Sequence, residues 1–393
     1  MPEVNPDVLR WARETAGLTE EAAARRIGLS AAWGLTPEQR LAALEVGEAQ
    51  PTDAQLRKIA DTYRRPLLTF YLEKPPIADK GFEDFRTLPD RQPATEGIVA
   101  ALLRDIRARQ ATVRELMEDD EAEPVAFVGT ARLTDGARAV AAQIVGTLKF
   151  ELGVYRERRS PTSAFDYLRG LAEAAGVFVL LIGDLGHHTT ALDTEEFRGF
   201  AIADRIAPFV IINNNDARPA WSFTLLHELA HIFLGITAVS GALMEARIEQ
   251  FCNEVAGQIL MPDADLANLA FDWQVPIQVA ASEVSRLAGA LNLSRTMVAL
   301  RLHRAGIIAA DQWTGLRQIF RDQWLQNRER ERTARQEQEG GPNYYVIRRQ
   351  RLGHALIDFV NRMVSAGALT PVKAGKVLGV KPRNVEPLLR RAA

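Results

Sequence analysis

The segment HELAH, residues 227–231, constrains this chain more than any other feature. On a helix, positions i and i+4 lie on one face, so His227 and His231 can direct ring nitrogens at a single zinc ion. The positions around the motif are uncharged, as a helix buried beneath a metal requires. Glu228 follows the first histidine, where its carboxylate can accept a proton from a metal-bound water. The alternative is a core helix with two hydrogen-bonded histidines, and a third ligand would argue against it.

A catalytic zinc ion needs three protein ligands and one open position. The helix predicted after HELAH offers Glu249, eighteen residues after His231, and Glu245 one turn earlier on the same face. Asn253 shares the helical face of Glu249. Cys252 is also close in sequence and could ligate zinc, although a lone cysteine in an apolar helix more often packs in the core.

The remaining histidines are weaker candidates. His187 and His188 lie in the polar loop LGHHTT and could assist at the site, although exposed loop histidines commonly have no role. His303 and His354 have no partner in the sequence, so we expect them to be structural or exposed.

Composition excludes several classes of protein. With 393 residues, 47% hydrophobic and 25% charged, the chain is globular rather than fibrous or disordered, and its length predicts two or three domains. The single cysteine excludes an internal disulfide and fits a reducing compartment. No apolar run approaches the ~18–20 residues that a membrane span needs. We therefore expect a cytoplasmic protein without a membrane partner.

Residues 160 to 270 have the order of a small sheet with helices packed on it. Three apolar runs predict strands, namely VFVLLI, EFRGFAIA and PFVIINN. Two helices follow, one ending at Gly235 and the other before Pro262. Residues 276 to 310 predict two more helices with a turn at Asn292, which form either a groove-reading pair or a helical hairpin that completes the core.

The N-terminal region is helical, with one helix between Thr19 and Gly28 and another that begins at Thr52 and stops before Pro66. The whole pattern predicts an α+β fold that is predominantly helical. We divide it into a helical domain at 7–74, a helical connector at 75–159, a sheet-containing domain at 160–310, a charged helix or linker at 311–341, and a basic helical domain at 342–393.

The segment EFRGFAIADRIAPFVIINNNDARPAWSFTLLHELAHIFLG, followed by IEQFCNEVAGQILMP, resembles the ImmA/IrrE family of zinc metallopeptidases. The resemblance covers roughly residues 160 to 270 and implies a zincin-like peptidase domain. It implies that His227, His231 and Glu249 bind zinc, which favours Glu249 over Glu245, and that Glu228 is the catalytic base. All four residues are present.

The N-terminal sequences LRWARETAGLTEEAAARRIGLS and ALEVGEAQPTDAQLRKIADTYRRPLLTFYLEKPP resemble an XRE-type helix-turn-helix domain. The sequence between Ser30 and Leu41 is longer than the pattern and falls where the groove-reading helix should lie. Residues 1 to 75 hold ten basic and eleven acidic side chains. Direct contact with DNA bases and a role as a scaffold for a protein partner therefore stay open, as does dimerisation.

The resemblance implies a protease with few substrates that cleaves a DNA-binding repressor in stress, mobile-element or toxin–antitoxin settings. The carbonyl oxygen of the cleaved bond needs a donor as it becomes negative, and His187, His188 and Arg198 are candidates. Two other interpretations stay open: a transcription regulator with a structural or sensory zinc site, and the toxin of a two-gene module.

The C-terminal segment is basic, with ten Lys or Arg against two acidic residues from 340 to 393. Tyr344 and Tyr345 lie beside Arg348, Arg349 and Arg351, a combination that can stack on bases and contact phosphates. The alternative is that the tyrosines pack this segment against the peptidase domain.

Overall fold

The computed structural model describes residues 3–76, 93–185, 190–192, 194, 197–236, 242–337 and 343–390. The chain forms two compact units, and the residues of each unit pack mainly against one another. The first unit comprises residues 1–108 with 184–196, and the second comprises 109–183 with 197–393. Among the helices of the described ranges, none is long and apolar enough to cross a membrane.

The first unit is a helical domain. Its helices are α1 (Pro6–Thr15), α2 (Glu20–Ile27), α3 (Pro37–Glu45) and α4 (Asp53–Tyr63), followed by a 3-10 turn at Leu67–Tyr71. The helix starts predicted at Thr19 and Thr52 are confirmed, because each threonine side chain accepts a hydrogen bond from the backbone of the first turn. Apolar side chains such as Leu9, Ile27 and Ile59 form its core.

A buried ion pair joins α1 to α3 in this unit. The Arg13 guanidinium donates two hydrogen bonds to the Glu45 carboxylate, at 2.7 and 2.8 Å. The extra length predicted between Ser30 and Leu41 lies in the connection from Ile27 to Pro37 and leaves α3 intact as a helix. This connection exceeds the three or four residues usual for a helix-turn-helix.

The second unit is larger and contains the sheet. Helix α5 (Pro93–Asp119) begins in the first unit and continues into the second. The elements that follow are α6 (Ala137–Leu148), α7 (Leu152–Arg156), α8 (Pro161–Ala174), β1 (Phe178–Leu181), β2 (Gly199–Ile202), β3 (Phe209–Ile212), α9 (Arg218–Leu234), α10 (Ala242–Leu260), α11 (Asp263–Ala267), α12 (Ile277–Ala290), α13 (Arg295–Arg304), α14 (Ala310–Glu337), α15 (Tyr344–Leu352), α16 (His354–Ser365), α17 (Pro371–Leu378) and α18 (Val385–Leu389). The predicted fold class, α+β and predominantly helical, is confirmed.

The three predicted strands form one sheet in the order β1-β3-β2. Strand β1 runs parallel to β3, with Phe178 opposite Phe209, and β2 runs antiparallel to β3, with Gly199 opposite Ile212. Both β1 and β3 are fully buried, which explains why they appear in the sequence as continuous apolar runs rather than as alternating patterns.

Side chains from α6 to α14 share one hydrophobic core with the sheet. Val140 of α6 and Tyr155 of α7 belong to it, as do Val298 and Leu302 of α13. The helical pair after residue 276 therefore contributes to this core. Asn292, at the turn of this pair, adopts a left-handed conformation with φ 57° and donates to backbone carbonyls near α7. The domain boundaries themselves stay predictions.

The C-terminal helices α15 and α16 pack against strand β1 of the sheet. Phe359 of α16 meets Phe178 of β1 with ring centroids 5.9 Å apart. Glu173 of α8 accepts hydrogen bonds from the first two amides of α16, those of His354 at 3.1 Å and Ala355 at 3.3 Å. The same carboxylate forms a buried ion pair with Arg169 at 3.1 Å.

Candidate metal centre

Helix α9 presents the HELAH motif inside the second unit. Pro219 occupies its first turn, and Gly235 ends it in a left-handed conformation with φ 70°. Most of the helix from Trp221 onward is buried against α8, α10 and the sheet. The helical spacing puts His227 and His231 on one face, with ring centroids 4.9 Å apart.

Helix α10 brings Glu249 to this histidine pair. One Glu249 carboxylate oxygen lies 3.1 Å from Nε2 of His227, and the other lies 3.1 Å from Nε2 of His231. The two Nε2 atoms are also 3.1 Å apart. A tetrahedral zinc with bonds of about 2.0–2.1 Å separates its ligand atoms by about 3.3 Å, so these three donors fit that ion.

The environment around the donors is asymmetric. The side chains of His227 and His231 are 12% and 10% exposed, whereas that of Glu249 is 47% exposed. The metal centre is therefore buried on the α9 side and open on the α10 side. This opening is what a catalytic site needs, because a fourth coordination position must be reached by water and substrate.

Asn253 supports the first histidine from α10. Its Oδ1 lies 3.1 Å from Nδ1 of His227, so the ring can donate its proton there and keep Nε2 free as a metal ligand. Cys252, the next residue back, is fully buried in the core and is not among the three donors. The cluster that could hold a metal ion among the described residues is therefore His227, His231 and Glu249, and their role as ligands stays a prediction.

Glu228 is buried beside these ligands at 6% exposure. Burial raises the pKa of its carboxyl, while the nearby His227 and His231 oppose that rise. Burial acts in the same direction on Glu249, but hydrogen bonds from the two histidines outweigh it and lower the pKa of that carboxyl. The pKa values of the two carboxyl groups therefore shift in opposite directions.

Gly199 at the start of β2 lets the sheet approach this carboxylate. A Cβ atom there would lie 2.7 Å from Cγ2 of Thr224, 2.9 Å from the carbonyl of Ile211 and 3.0 Å from Oε1 of Glu228. A side chain would thus displace the proposed base or its neighbour. Gly199 is not among the site residues predicted from the sequence, although a glycine within a strand commonly marks a close approach of this kind.

The structure leaves several of the other predicted candidates untested. His187 and His188 lie outside the described residues, as does the side chain of Glu245. The Arg198 guanidinium acts on Asp216. Burial raises the pKa of the Asp216 carboxyl, and the charge of Arg198 opposes that rise. Its role as a donor stays a prediction.

His303 and His354 agree with the structural or exposed roles expected of them. The His303 ring is parallel to Trp313, with centroids 6.2 Å apart, and its Nδ1 lies 3.2 Å from the carbonyl of Ile308. His354 is exposed at the start of α16.

The comparisons with known protein families support a metallopeptidase-like protein with a helix-turn-helix domain. Residues 179–303, which include β2, β3, HELAH and Glu249, match the family model of the IrrE N-terminal-like domain. Residues 9–70 match the helix-turn-helix family model. The comparisons with curated proteins and with solved structures gave no match. The two resemblances inferred from the sequence are thus confirmed.

Proposed function

We propose that this protein is a zinc-dependent endopeptidase that cleaves a specific protein, namely a DNA-binding repressor, in the cytoplasm. The observation that carries the proposal is the His227–His231–Glu249 triangle with 3.1 Å sides, next to the buried carboxyl of Glu228. A purely structural zinc site would be closed by a fourth protein ligand. Among the described residues, three donors form this cluster.

The chain's own residues account for the proton transfers. When bound, zinc would polarise the peptide carbonyl and lower the pKa of a water to about 7. Glu228 accepts the proton of the attacking water at a carboxylate oxygen and later donates it to the leaving amine. Burial, which raises the pKa of Glu228, makes its carboxyl better able to hold that proton between the two steps. Asn253 orients the His227 ring throughout.

A repressor as substrate follows from the family resemblance and from the domain order. The helix-turn-helix match at residues 9–70 lies ahead of the peptidase match on the same chain. A DNA-binding domain would bring the peptidase to a repressor that already occupies its operator. Linking the two modules raises the local concentration of the substrate without new contacts at the active site.

The decisive variant is Glu228→Gln, which keeps the shape of the side chain but cannot accept the proton. We expect one zinc per chain, as in the wild type, and a loss of cleavage of at least ~10²-fold. New protein N-termini in cells expressing the wild type, compared with the variant, would identify the substrate. The exposed Glu254→Gln on α10 is the matched control. Identical fragments from Glu228→Gln cells, or no zinc after reconstitution, would contradict the proposal.

The helix-turn-helix match also favours a second candidate function, a DNA-binding transcription regulator with a structural or sensory zinc site. The same variant separates the two. If the regulator hypothesis is correct, Glu228→Gln leaves every change in transcription intact, whereas a histidine ligand variant removes them. If the peptidase hypothesis is correct, both variants abolish the response.

A further inference from the structure

Four arginines gather in the first unit without acidic partners among the described residues. Arg26 lies in the last turn of α2, Arg64 is the C-cap residue of α4 with φ 53°, and Arg65 follows it. Arg104 belongs to α5. The charges that act on Arg64, Arg65 and Arg104 come from one another and from Arg26. We call these four residues the arginine cluster.

Two guanidinium groups of the arginine cluster have buried N–H groups with no acceptor among the residues that the structure describes. These are at Nη1 of Arg64 and Nε of Arg65. The Arg65 guanidinium is nevertheless held in place, because its Nη2 donates to Thr15 Oγ1 at 2.9 Å and its centre lies 4.1 Å from the Trp11 ring centroid. Arg64 and Arg65 therefore each offer a desolvated donor, and the Arg65 guanidinium is fixed in position.

Burial and mutual repulsion act together on this cluster. Burial lowers the pKa of Arg65 and of Arg104 to about 10, and the neighbouring arginines add to the effect. Arg64 shifts in the same direction for the same two reasons. Partly buried like charges with unused donors cost free energy unless an anion lies among them.

Helix dipoles explain only part of this arrangement. The C-terminal ends of α2 and α4 favour cations, which accounts for Arg26 and Arg64 taken singly. They do not account for Arg104, which lies well inside α5, away from either end. Nor do they explain the two buried N–H groups, since a residue that serves a helix end should direct its donors at the carbonyls there.

We infer that Arg26, Arg64, Arg65 and Arg104 form a binding site for the phosphate group of a small ligand. Guanidinium groups have planar donor forks that match phosphate oxygens two at a time, and several around one site can neutralise a dianion. The site is distinct from the metal centre, because all four residues belong to the first unit.

A small ligand fits better than the backbone of DNA. Proteins contact DNA phosphates with displayed side chains and with helix N-termini, but Nη1 of Arg64 and Nε of Arg65 are buried. The first turns of α2 and α3 are acidic, with Glu20, Glu21 and Glu38. Arg26 and Arg64 instead lie at the C-terminal ends of α2 and α4, where the helix dipole does not favour an anion, so the arginines themselves must supply the charge that holds it.

The test uses the full-length protein and inorganic phosphate, with chloride at the same ionic strength as reference. We expect phosphate to raise the unfolding temperature of the first unit in the wild type by about 3 °C at concentrations well above Kd. Arg64→Gln and Arg104→Gln should abolish this rise. Arg57→Gln, an exposed arginine of α4 outside the cluster, is the matched control and should retain it. Without phosphate, both cluster variants should unfold at the wild-type temperature or above it, because repulsion is relieved.

An equal rise in the cluster variants, or none in the wild type, would overturn the inference. A duplex oligonucleotide forms the second arm of the experiment. If Arg64→Gln weakens duplex binding at least tenfold while inorganic phosphate has no effect on the wild type, the cluster contacts the DNA backbone and a small ligand is ruled out. Because the readout is binding, the result does not depend on peptidase activity.

Discussion

Asn253 is the residue whose effect on the metal centre can be tested most cleanly. It does not ligate the metal, yet its Oδ1 lies 3.1 Å from the Nδ1 of His227 and sets which ring nitrogen carries the proton. Without that partner, the ring can rotate or hold its proton on Nε2, the atom that faces Glu249. The metal affinity of the centre should therefore depend on Asn253 even though the three ligands remain.

We predict that Asn253→Ala weakens zinc binding by about 10- to 100-fold. Gln250→Ala, at an exposed position of the same helix, should leave the affinity unchanged. Competition against a chromogenic chelator measures both. An Asn253→Ala protein with wild-type affinity would show that the side chain does not orient His227.

At the scale of elements, Glu173 links α8 to the C-terminal helices. Its carboxylate receives the first amides of α16 and the guanidinium of Arg169, which is only 5% exposed. Arg169 also donates to the carbonyls of Gln350 and Val179, so it joins α15 to β1. The glycine between α15 and α16, Gly353, has φ 79° and leaves no room for a Cβ beside Glu173.

We predict that Glu173→Gln destabilises the second unit by about 3 kcal/mol, because it removes the stronger of the two counter-charges, Glu173 and Asp166, that act on a buried guanidinium. The control is Glu386→Gln, which removes an ion pair whose two side chains are both 76% exposed and should cost less than about 0.5 kcal/mol. Urea unfolding followed by circular dichroism compares them. Equal costs for the two variants would show that burial does not strengthen the Arg169 pair.

Asp263 joins three helices and makes this junction sensitive to pH. It accepts hydrogen bonds from Arg138 of α6, Gln258 of α10 and the buried Arg301 of α13. These bonds, that from Arg138 foremost, lower the pKa of Asp263 to about 2. Because the folded-state pKa lies below the unfolded value, the stabilisation is present above about pH 4 and is lost as the pH falls towards 2.

We predict that Asp263→Asn costs about 1 kcal/mol at pH 7, since the carboxylate is 46% exposed and water screens its ion pairs. The difference from the wild type should shrink between pH 4 and pH 2. Denaturant unfolding at pH 7, 4 and 2.5 measures it. Asp358→Asn, an exposed carboxylate of α16, should show no such trend. A difference that stays constant with pH would contradict the assignment.

At the scale of the whole molecule, the candidate metal centre and the helix-turn-helix match lie in different units of the chain. The three candidate ligands and Glu228 all belong to the second unit, and the core of the helix-turn-helix domain consists of its own residues. Deleting residues 1–75 should therefore leave one zinc per chain but reduce repressor cleavage in cells by about tenfold, because the peptidase is no longer concentrated at the operator. Quantifying the cleaved repressor in cells tests this. Unchanged cleavage would contradict the hypothesis that the helix-turn-helix domain concentrates the peptidase at the operator.

Much of the local structure could be predicted from the sequence, and particular residues show why. The helix starts at Thr19 and Thr52 each depend on a side chain that lies three positions from the amide it binds. The residues next to each threonine are therefore enough to predict the helix start. The spacing of His227 and His231 is likewise a property of one helix. The sequence does not show how much of the extra length before Leu41 lies in the turn ahead of α3, because a count of residues does not say where a helix begins.

By itself, the sequence determined that two histidines share a helix face, that a glutamate lies between them, and that three apolar runs form strands. The periods of a helix and of a strand are set by a few neighbouring residues, so these features can be predicted without knowing which other elements pack against them. Only the tertiary structure decided which side chains meet across elements: Glu249 and Asn253 at the histidines, Gly199 against Glu228, and Glu173 at a helix that begins 181 residues later. Such contacts arise from the packing of elements far apart in the chain, and their positions depend on the whole core.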